Sequence, residues 1–243
     1  MNIVSVSFSF KETFGYMKRF SILLIAVVAC VGLQAQSKRG ISILGDSYST
    51  FKGYVVPDTN AVWYPQPNPQ NNDVQDVRQL WWQQLIRNNS KDYRLCRNNS
   101  FSGATICHTG YEGADYSDRS YCTRLWQLGS PDVILVFGGT NDTWAKSPVG
   151  EFQYSGWSQR DLYQFRPAMA YVLAHLQNRY PGVAIYVIIN DILSDEVTSS
   201  MKTICQHYQV PFIQLHDIDK QWGHPSQKGM RQIAEQVGEA LKD

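Results

Sequence analysis

Short apolar runs alternate with segments of helical periodicity along most of this chain, and that alternation restricts the possible folds more than any other sequence feature. The pattern predicts strands at 41–44, 93–97, 132–137, 183–189 and 211–215, and helices at 80–87, 162–179, 195–208 and 226–241. Strands that alternate with helices indicate βαβ units, whose parallel sheet is covered by helices on both sides. We therefore expect an α/β fold in a single domain at 37–243.

Residues 1–35 predict export. From Met17 a basic start is followed by an almost entirely apolar stretch at 21–33 and then by Ala35, which is the pattern of a secretory signal peptide. We expect cleavage after Ala35 and interpret the residues before Met17 as an upstream extension. The apolar stretch is too short and too poorly flanked for a membrane span. An alternative is a lipoprotein with a lipid anchor at Cys30, and both routes predict a periplasmic or extracellular protein.

The charge and the cysteines narrow the possible partners. A formal net charge of +1 offers no electrostatic reason to expect nucleic acid as a partner. After export, an even set of cysteines remains in an oxidising compartment, and these are Cys96, Cys107, Cys122 and Cys205. Cys107 and Cys122 flank a loop-like stretch and are the predicted bridge, while the alternative is that some cysteines are buried small apolar side chains. No zinc motif or metal-spaced histidine cluster occurs, so no metal or cofactor is expected.

Four short polar stretches are predicted to meet at one edge of the sheet. They are Gly45-Asp46-Ser47, the turn at Gly103, Gly139-Thr140-Asn141-Asp142, and His224-Pro225-Ser226. The first three follow predicted strands and the fourth opens the last helix, and ligands of open α/β sheets bind at the carboxyl ends of the strands. Each stretch alone is also an ordinary turn or helix start.

In this order the four stretches resemble the SGNH (GDSL) hydrolase family of secreted esterases and lipases, from residue 41 to the C-terminus. The resemblance implies a flavodoxin-like three-layer α/β/α sandwich with a central, mainly parallel five-stranded sheet. It also implies that Ser47 is the nucleophile, His224 the general base, and Ser47, Gly103 and Asn141 the oxyanion-hole donors. The chemistry agrees, because a serine hydroxyl needs a neighbouring base and a developing oxyanion needs fixed donors.

The chain departs from the family pattern at the acid member of the site. The family has an acid three residues before the histidine, and Gln221 stands there. Its side-chain oxygen can accept a hydrogen bond from the imidazole Nδ1–H and orient the ring, but it cannot stabilise an imidazolium with a full negative charge. In a serine protease the acid-to-amide change costs about 10⁴ in turnover. Three interpretations remain open: Asp219 or Asp217 reaches the histidine, a backbone carbonyl near Trp222 orients it, or the site is impaired. Asp46 is interpreted as bracing the nucleophile turn.

Aromatic residues of the predicted loops suggest the substrate. Those near the predicted site are Trp63, Tyr64, Tyr111, Tyr116, Trp144, Tyr154 and Trp157. Exposed aromatic faces suit stacking on sugar rings, so we expect a small-molecule or glycan ester and favour an O-acetylated carbohydrate. Loop packing is the alternative role for these rings. Alternative functions are a lysophospholipase or thioesterase of the same fold, or a catalytically silent carbohydrate-binding relative.

Overall fold

A computed structural model describes residues 37–242, which form a five-stranded, wholly parallel sheet between two helical layers. The strands are β1 (Arg39–Gly45), β2 (Tyr93–Ser100), β3 (Val133–Gly138), β4 (Ala184–Ile189) and β5 (Phe212–Gln214). Their order, β2-β1-β3-β4-β5, is that of flavodoxin-like sheets, so the predicted fold class is confirmed. The predicted signal peptide and Cys30 lie outside the described residues.

The helices cover both faces of the sheet. They are α1 (Trp81–Asn88), α2 (Tyr121–Arg124), α3 (Thr140–Ala145), α4 (Phe165–Arg179), α5 (Asp195–His207) and α6 (Gln227–Ala240). Ile43 and Leu135 belong to the core beneath α1 and α6, whereas Leu44 and Val136 belong to the core beneath α4 and α5. Each such fully buried aliphatic side chain stabilises the fold by roughly 1.5–3 kcal/mol. Strands buried on both sides explain the nearly continuous apolar runs in the sequence.

The strand order places the ends of three strands side by side. At the end of β1, Gly45 pairs with Ser100 of β2 on one side and with Phe137 of β3 on the other. The chain moves from β1 to β2 on one side and then to β3 on the other, which opens a crevice at the carboxyl ends of these strands. The polar stretches that follow them therefore share one edge of the sheet.

A small hairpin that the sequence pattern did not indicate carries the histidine. Strands β6 (Lys220–Gln221) and β7 (His224–Pro225) pair antiparallel, and Trp222 and Gly223 form the connection between them. Both connecting residues have positive φ, 51° and 74°, as tight two-residue hairpins require. The hairpin places His224 on a short strand, whereas the sequence analysis placed it at the opening of the last helix, which begins at Gln227.

The predicted disulfide between Cys107 and Cys122 is wrong for this structure, since all four described cysteines are free. The two thiols contact different carbonyl groups: Cys107 Sγ lies 3.5 Å from the Thr109 oxygen, and Cys122 Sγ lies 3.5 Å from the Ile106 oxygen. Both side chains are buried in the core under α4 and α5, where they act as small apolar groups. No helix within residues 37–242 has the length and apolar character needed to span a bilayer.

Candidate active site

Ser47 lies in a short 3-10 turn that begins directly after β1. Asp46 caps the turn, because its Oδ1 accepts a hydrogen bond from the Tyr48 N–H at 3.0 Å. Gly45 is required by close packing, since a Cβ at this position would lie 2.5 Å from a serine hydroxyl of β2. The turn therefore holds the Ser47 side chain at the carboxyl edge of the sheet, as the sequence predicted.

Ser47 and His224 form a direct hydrogen-bonded pair. The Ser47 Oγ lies 2.9 Å from the His224 Nε2, although the residues are 177 positions apart. The other ring nitrogen, Nδ1, lies 3.2 Å from the Trp222 carbonyl oxygen. A carbonyl can only accept, so this contact assigns the proton to Nδ1 and leaves Nε2 as the acceptor of the serine proton.

The side chains considered as acid replacements point elsewhere. The Gln221 Oε1 accepts a hydrogen bond from the Asp73 N–H at 2.8 Å, which ties the hairpin to the loop after β1. The Asp219 carboxylate accepts from the Ser226 hydroxyl at the start of α6. The exposed Asp217 carboxylate lies 3.1 Å from the ring Nδ1 of its neighbour His216. Of the interpretations left open by the sequence, the geometry therefore agrees with a backbone carbonyl at Trp222.

Asn141 and Gly103 lie on either side of the nucleophile turn. Asn141 is in the first turn of α3, directly after β3, and its Nδ2 donates to the Ala104 carbonyl oxygen at 3.0 Å. The side-chain amide has a second N–H, which remains for a substrate. Gly103 has a φ of 81°, a conformation that favours glycine, and its N–H has no acceptor within residues 37–242. Both groups are thus available as oxyanion donors.

Tyr111 and Asp142 hold the Asn141 amide and the segment after Gly103 in place, and the sequence analysis did not predict these roles. The Tyr111 hydroxyl donates to the Asn141 Oδ1 at 2.8 Å and so orients the amide. The Asp142 carboxylate accepts from the backbone N–H groups of Ile106 and Cys107 at 2.8 and 3.2 Å. Asp142 therefore fixes the segment that follows Gly103. Burial raises the pKa of Asp142 to about 6, against the lowering effect of these backbone hydrogen bonds.

Asp46 is a second buried carboxyl group at the site. Its Oδ2 has no hydrogen-bond partner among the described residues. Burial raises the pKa of Asp46 to about 7, while the Tyr48 N–H and the nearby Arg124 guanidinium oppose the rise. Arg124 is itself buried and donates to the carbonyl oxygens of Asn99 and Gly45, so it joins the ends of β1 and β2 beneath the nucleophile.

Aromatic rings surround the imidazole of His224. Trp63 stacks on it with ring centroids 3.7 Å apart and planes 7° apart. Tyr48, Trp144 and Tyr64 approach at 5.3, 5.8 and 6.4 Å. Burial among these rings lowers the pKa of His224 to about 4, although the Trp222 carbonyl opposes the shift. The imidazole is therefore neutral, and able to accept a proton, at any pH well above this value.

The predicted aromatic rim needs several corrections. Trp144 is 38 % exposed and lies beside the site, but Tyr64 is fully buried and donates to the Pro225 carbonyl at 2.9 Å. Tyr154 stacks on His207 of α5. Trp157 packs edge-on against Tyr171 of α4. Tyr116 lies under the Arg119 guanidinium. These rings follow the packing alternative. The most exposed large apolar side chain is instead Trp222, at 75 %, in the hairpin turn beside His224.

The described residues contain no group of three or more His, Cys, Asp or Glu side chains that could hold a metal ion. The chemistry that this arrangement offers is that of a serine nucleophile, a neutral imidazole base and fixed hydrogen-bond donors.

Comparisons with known proteins agree with this geometry. The profile of the GDSL-like lipase/acylhydrolase family matches residues 39–241. A crystal structure described as a GDSL-like lipase from Bacteroides ovatus shares 57% identity, with a TM-score of 0.83, over 85% of this chain and 99% of that chain. A second, from Bacteroides uniformis, shares 56% identity at the same TM-score, over 85% of this chain and 97% of that chain. No curated protein matches the sequence.

A more distant likeness concerns the fold alone. A family two carbohydrate esterase from Clostridium thermocellum, solved with cellohexaose, shares 18% identity with a TM-score of 0.56, over 84% of this chain and 63% of that chain. The family profile and the two Bacteroides structures cover nearly the whole described chain. This chain therefore belongs to the GDSL-like lipase/acylhydrolase family, the SGNH hydrolases that its motifs resemble.

Proposed function

We propose that this protein is an exported serine esterase that removes acetyl groups from an O-acetylated carbohydrate. The observation that carries the proposal is the 2.9 Å hydrogen bond between the Ser47 Oγ and the His224 Nε2, at the sheet edge that also holds Asn141. Membership of a family of lipases and acylhydrolases supports an ester as the substrate. The chain supplies every group that such a reaction needs, without a cofactor.

Acylation begins at Ser47. As the Ser47 Oγ attacks the ester carbonyl carbon, its proton passes to the His224 Nε2 and the carbonyl oxygen becomes an oxyanion. The Asn141 amide and the Gly103 and Ser47 N–H groups stabilise this oxyanion. The intermediate collapses when the C–O bond to the alcohol breaks and His224 returns its proton to the departing oxygen. The acetyl group is then bound to Ser47.

Deacylation repeats the sequence with water. His224 takes a proton from the water as its oxygen attacks the acetyl carbon, and the same donors stabilise the second oxyanion. Collapse releases acetate and returns the proton from His224 to the Ser47 Oγ. Through both steps the Nδ1–H of His224 donates a hydrogen bond to the Trp222 carbonyl, which keeps the proton on Nδ1.

The surface beside the nucleophile supports a carbohydrate as the alcohol part of the ester. Trp222 and Trp144 are 75 % and 38 % exposed, and the Trp144 ring lies against Gly223 in the hairpin turn. Indole faces exposed next to a catalytic centre suit stacking on sugar rings, whose C–H bonds form apolar patches. The fold likeness to a carbohydrate esterase solved with cellohexaose points in the same direction.

The confined catalytic atoms support a short acyl group. Ser47 and His224 are 2 % and 6 % exposed, so an ester has little open space around these two side chains. A long acyl chain needs an apolar groove that continues from the nucleophile. This argument favours acetyl transfer to water over the lysophospholipase or thioesterase alternative.

A series of p-nitrophenyl esters tests the acyl preference. We expect kcat/KM for the acetate to exceed that for the octanoate by at least about tenfold, because a short acyl group suits the confined catalytic atoms better than a long chain. The purified protein from residue 37 onward is assayed on the acetate, butyrate and octanoate, with acetate release from acetylated xylan measured in parallel. A preference for octanoate would establish the lipase-type alternative. Binding to xylan without any hydrolysis would establish the silent carbohydrate-binding alternative.

Replacing Trp222 tests the carbohydrate platform. Asparagine is the matched substitution, because it tolerates the positive φ of 51° and keeps the backbone carbonyl that contacts His224. We expect Trp222→Asn to lower kcat/KM for acetylated xylan about tenfold more than for p-nitrophenyl acetate, the loss typical of one aromatic stacking contact. Equal losses on both substrates would assign Trp222 to the hairpin alone and remove the platform.

A further inference from the structure

Three aromatic side chains of the nucleophile turn and the loop after it contact the hairpin that carries His224. They are Trp63, Tyr48 and Tyr64. Trp63 stacks on the His224 imidazole. The Tyr48 hydroxyl donates to the Gly223 carbonyl at 2.5 Å, and the Tyr64 hydroxyl donates to the Pro225 carbonyl at 2.9 Å. The residues immediately before and after the histidine are thus each held by a buried phenol, and the ring itself is held by an indole.

Trp63 is attached to the nucleophile turn as well as to the histidine. The backbone N–H of Trp63 donates to the Thr50 Oγ1 at 2.8 Å, and the Thr50 hydroxyl donates in turn to the Ser47 carbonyl at 2.9 Å. Next to it, the Tyr64 carbonyl accepts from the Lys52 N–H at 2.9 Å. Two consecutive backbone positions of this loop are therefore hydrogen-bonded to residues 50 and 52, directly after the nucleophile turn.

Tyr48 makes a similar connection from the other direction. It follows Ser47 directly in the chain, and its ring packs edge-on against Phe137 of β3 at 5.7 Å. Its hydroxyl reaches across 175 positions to the Gly223 carbonyl. The nucleophile and this tether are adjacent residues, so the hydrogen bond holds the residue before His224 close to the residue after Ser47.

We propose that Trp63 and Tyr48 are positioning residues that together take over the orienting role of the missing acid. A carboxylate in an SGNH or protease triad holds the imidazole by one strong hydrogen bond. Here Nδ1 has only a neutral carbonyl at 3.2 Å, a weaker restraint on the ring. The stacked indole restricts rotation of the imidazole plane, and the Tyr48 tether restricts the backbone that carries it. The inference rests on the proposed function, since it concerns the same proton transfer.

The surroundings of His224 make its titration a clean measure of the stack. The titratable groups whose rings face the imidazole are Tyr48 and Tyr64, and burial raises the pKa of both phenols above the ordinary range, so both stay neutral. The His224 pKa is about 4 because of burial. Removing the indole would admit water to one face of the ring and raise this pKa towards its ordinary value near 6.5.

The experiment compares Trp63→Leu and Trp63→Phe with wild type and with Trp126→Leu. Trp126 is a matched control, because it also packs on a histidine, His175 of α4, at 5.2 Å. The readouts are the pH profile of kcat/KM on p-nitrophenyl acetate and the NMR titration of ¹⁵N-labelled His224. For Trp63→Leu we expect the acid limb and the titration midpoint to rise by about one pH unit or more, and kcat to fall about 10- to 100-fold. Trp63→Phe should recover part of both, and Trp126→Leu should match wild type.

Tyr48→Phe tests the hydrogen bond from the Tyr48 hydroxyl to the Gly223 carbonyl, and it covers the case in which Trp63→Leu does not fold. It keeps the ring against Phe137 and removes only the hydroxyl that holds Gly223. We expect kcat to fall at least about fivefold with KM little changed, because the geometry of proton transfer is altered and substrate contacts are not. Tyr64→Phe serves as a comparison for the phenol on the other side of the histidine.

Several outcomes would overturn the inference. One is a Trp63→Leu protein whose acid limb, His224 titration and kcat per folded molecule equal those of wild type, since packing alone would then explain the stack. Another is a Tyr48→Phe protein with lower melting temperature but unchanged kcat. If wild type itself hydrolyses no ester, the proposed function fails, while the NMR titration still reports whether Trp63 controls the histidine.

Discussion

Substitution of Ser47 by alanine is expected to lower kcat for p-nitrophenyl acetate by about 10⁴- to 10⁶-fold, to the level of residual catalysis by the remaining donors. The structure places the Ser47 Oγ 2.9 Å from the Nε2 of the neutral His224 imidazole. Without it, an acyl-enzyme cannot form. Stopped-assay or continuous kinetics at saturating ester, corrected for spontaneous hydrolysis, measure the loss.

His224→Ala should produce a loss of similar size, and the double variant should be no worse than either single one. In the proposed mechanism serine and histidine act as a unit, because each requires the other in the proton transfer of acylation, and effects within such a unit do not add. Additive losses would show that the two residues contribute independently, which is incompatible with a shared acylation step.

The folded state provides the control for these variants. Asp46 still caps the turn through the Tyr48 N–H in Ser47→Ala, and the Thr50 hydroxyl still meets the Ser47 backbone carbonyl. The melting temperature should therefore stay within a few degrees of wild type, as for a substitution outside the core. If Ser47→Ala retained wild-type turnover on all p-nitrophenyl esters, the esterase proposal would have to be withdrawn.

The sequence predicted the sheet and the site edge because both depend on local patterns. Buried parallel strands consist of nearly continuous apolar residues, and the turns that end them contain glycine and small polar residues. Ser47 and Asn141 lie two and three residues after the ends of β1 and β3, and Gly103 lies in the turn after β2, so the topology brings all three to one edge. Even the strand order then follows the general behaviour of doubly wound sheets.

The orientation of the histidine could not be predicted, because it depends on contacts between distant segments. Gln221 stands in the acid position, but its amide binds the backbone of Asp73, a contact across 148 positions. Trp222 adopts a positive φ, a conformation that a sequence pattern rarely indicates for a residue other than glycine or asparagine. The resulting hairpin aims a carbonyl at the imidazole, and no short motif encodes that outcome.

The role of each aromatic residue was also set by tertiary packing. Trp63 and Tyr64 are neighbours in one loop, yet one stacks on the imidazole and the other is buried under the hairpin. The sequence of a polar loop does not distinguish an aromatic residue that stacks on a histidine from one that is buried under a hairpin. Asp142 offered a weak signal, because it directly follows Asn141 on the same short helix, but its hydrogen bonds to the segment after Gly103 appear only in the folded chain.

Substitution of Asn141 by alanine carries the second large expected effect. Loss of one oxyanion donor typically lowers kcat about 10²- to 10³-fold, or about 2.7–4 kcal/mol of transition-state stabilisation. In the proposed mechanism the amide serves the oxyanion and not the ground-state ester, so we expect kcat and kcat/KM to fall together while KM changes little. Steady-state kinetics of Asn141→Ala on p-nitrophenyl acetate measure this.

Matched variants separate the donor from its supports. Asn141→Asp keeps an oxygen for the Tyr111 hydroxyl but replaces the donor N–H with an oxygen that repels the oxyanion, so its loss should equal or exceed that of the alanine variant. Tyr111→Phe keeps the donor and removes only its orienting partner, so its loss should be much smaller. A rise in KM with unchanged kcat in Asn141→Ala would instead assign the amide to ground-state binding. We therefore expect the loss of kcat to be largest in Asn141→Asp, smaller in Asn141→Ala and smallest in Tyr111→Phe. Only a donor that points at a developing negative charge explains this order.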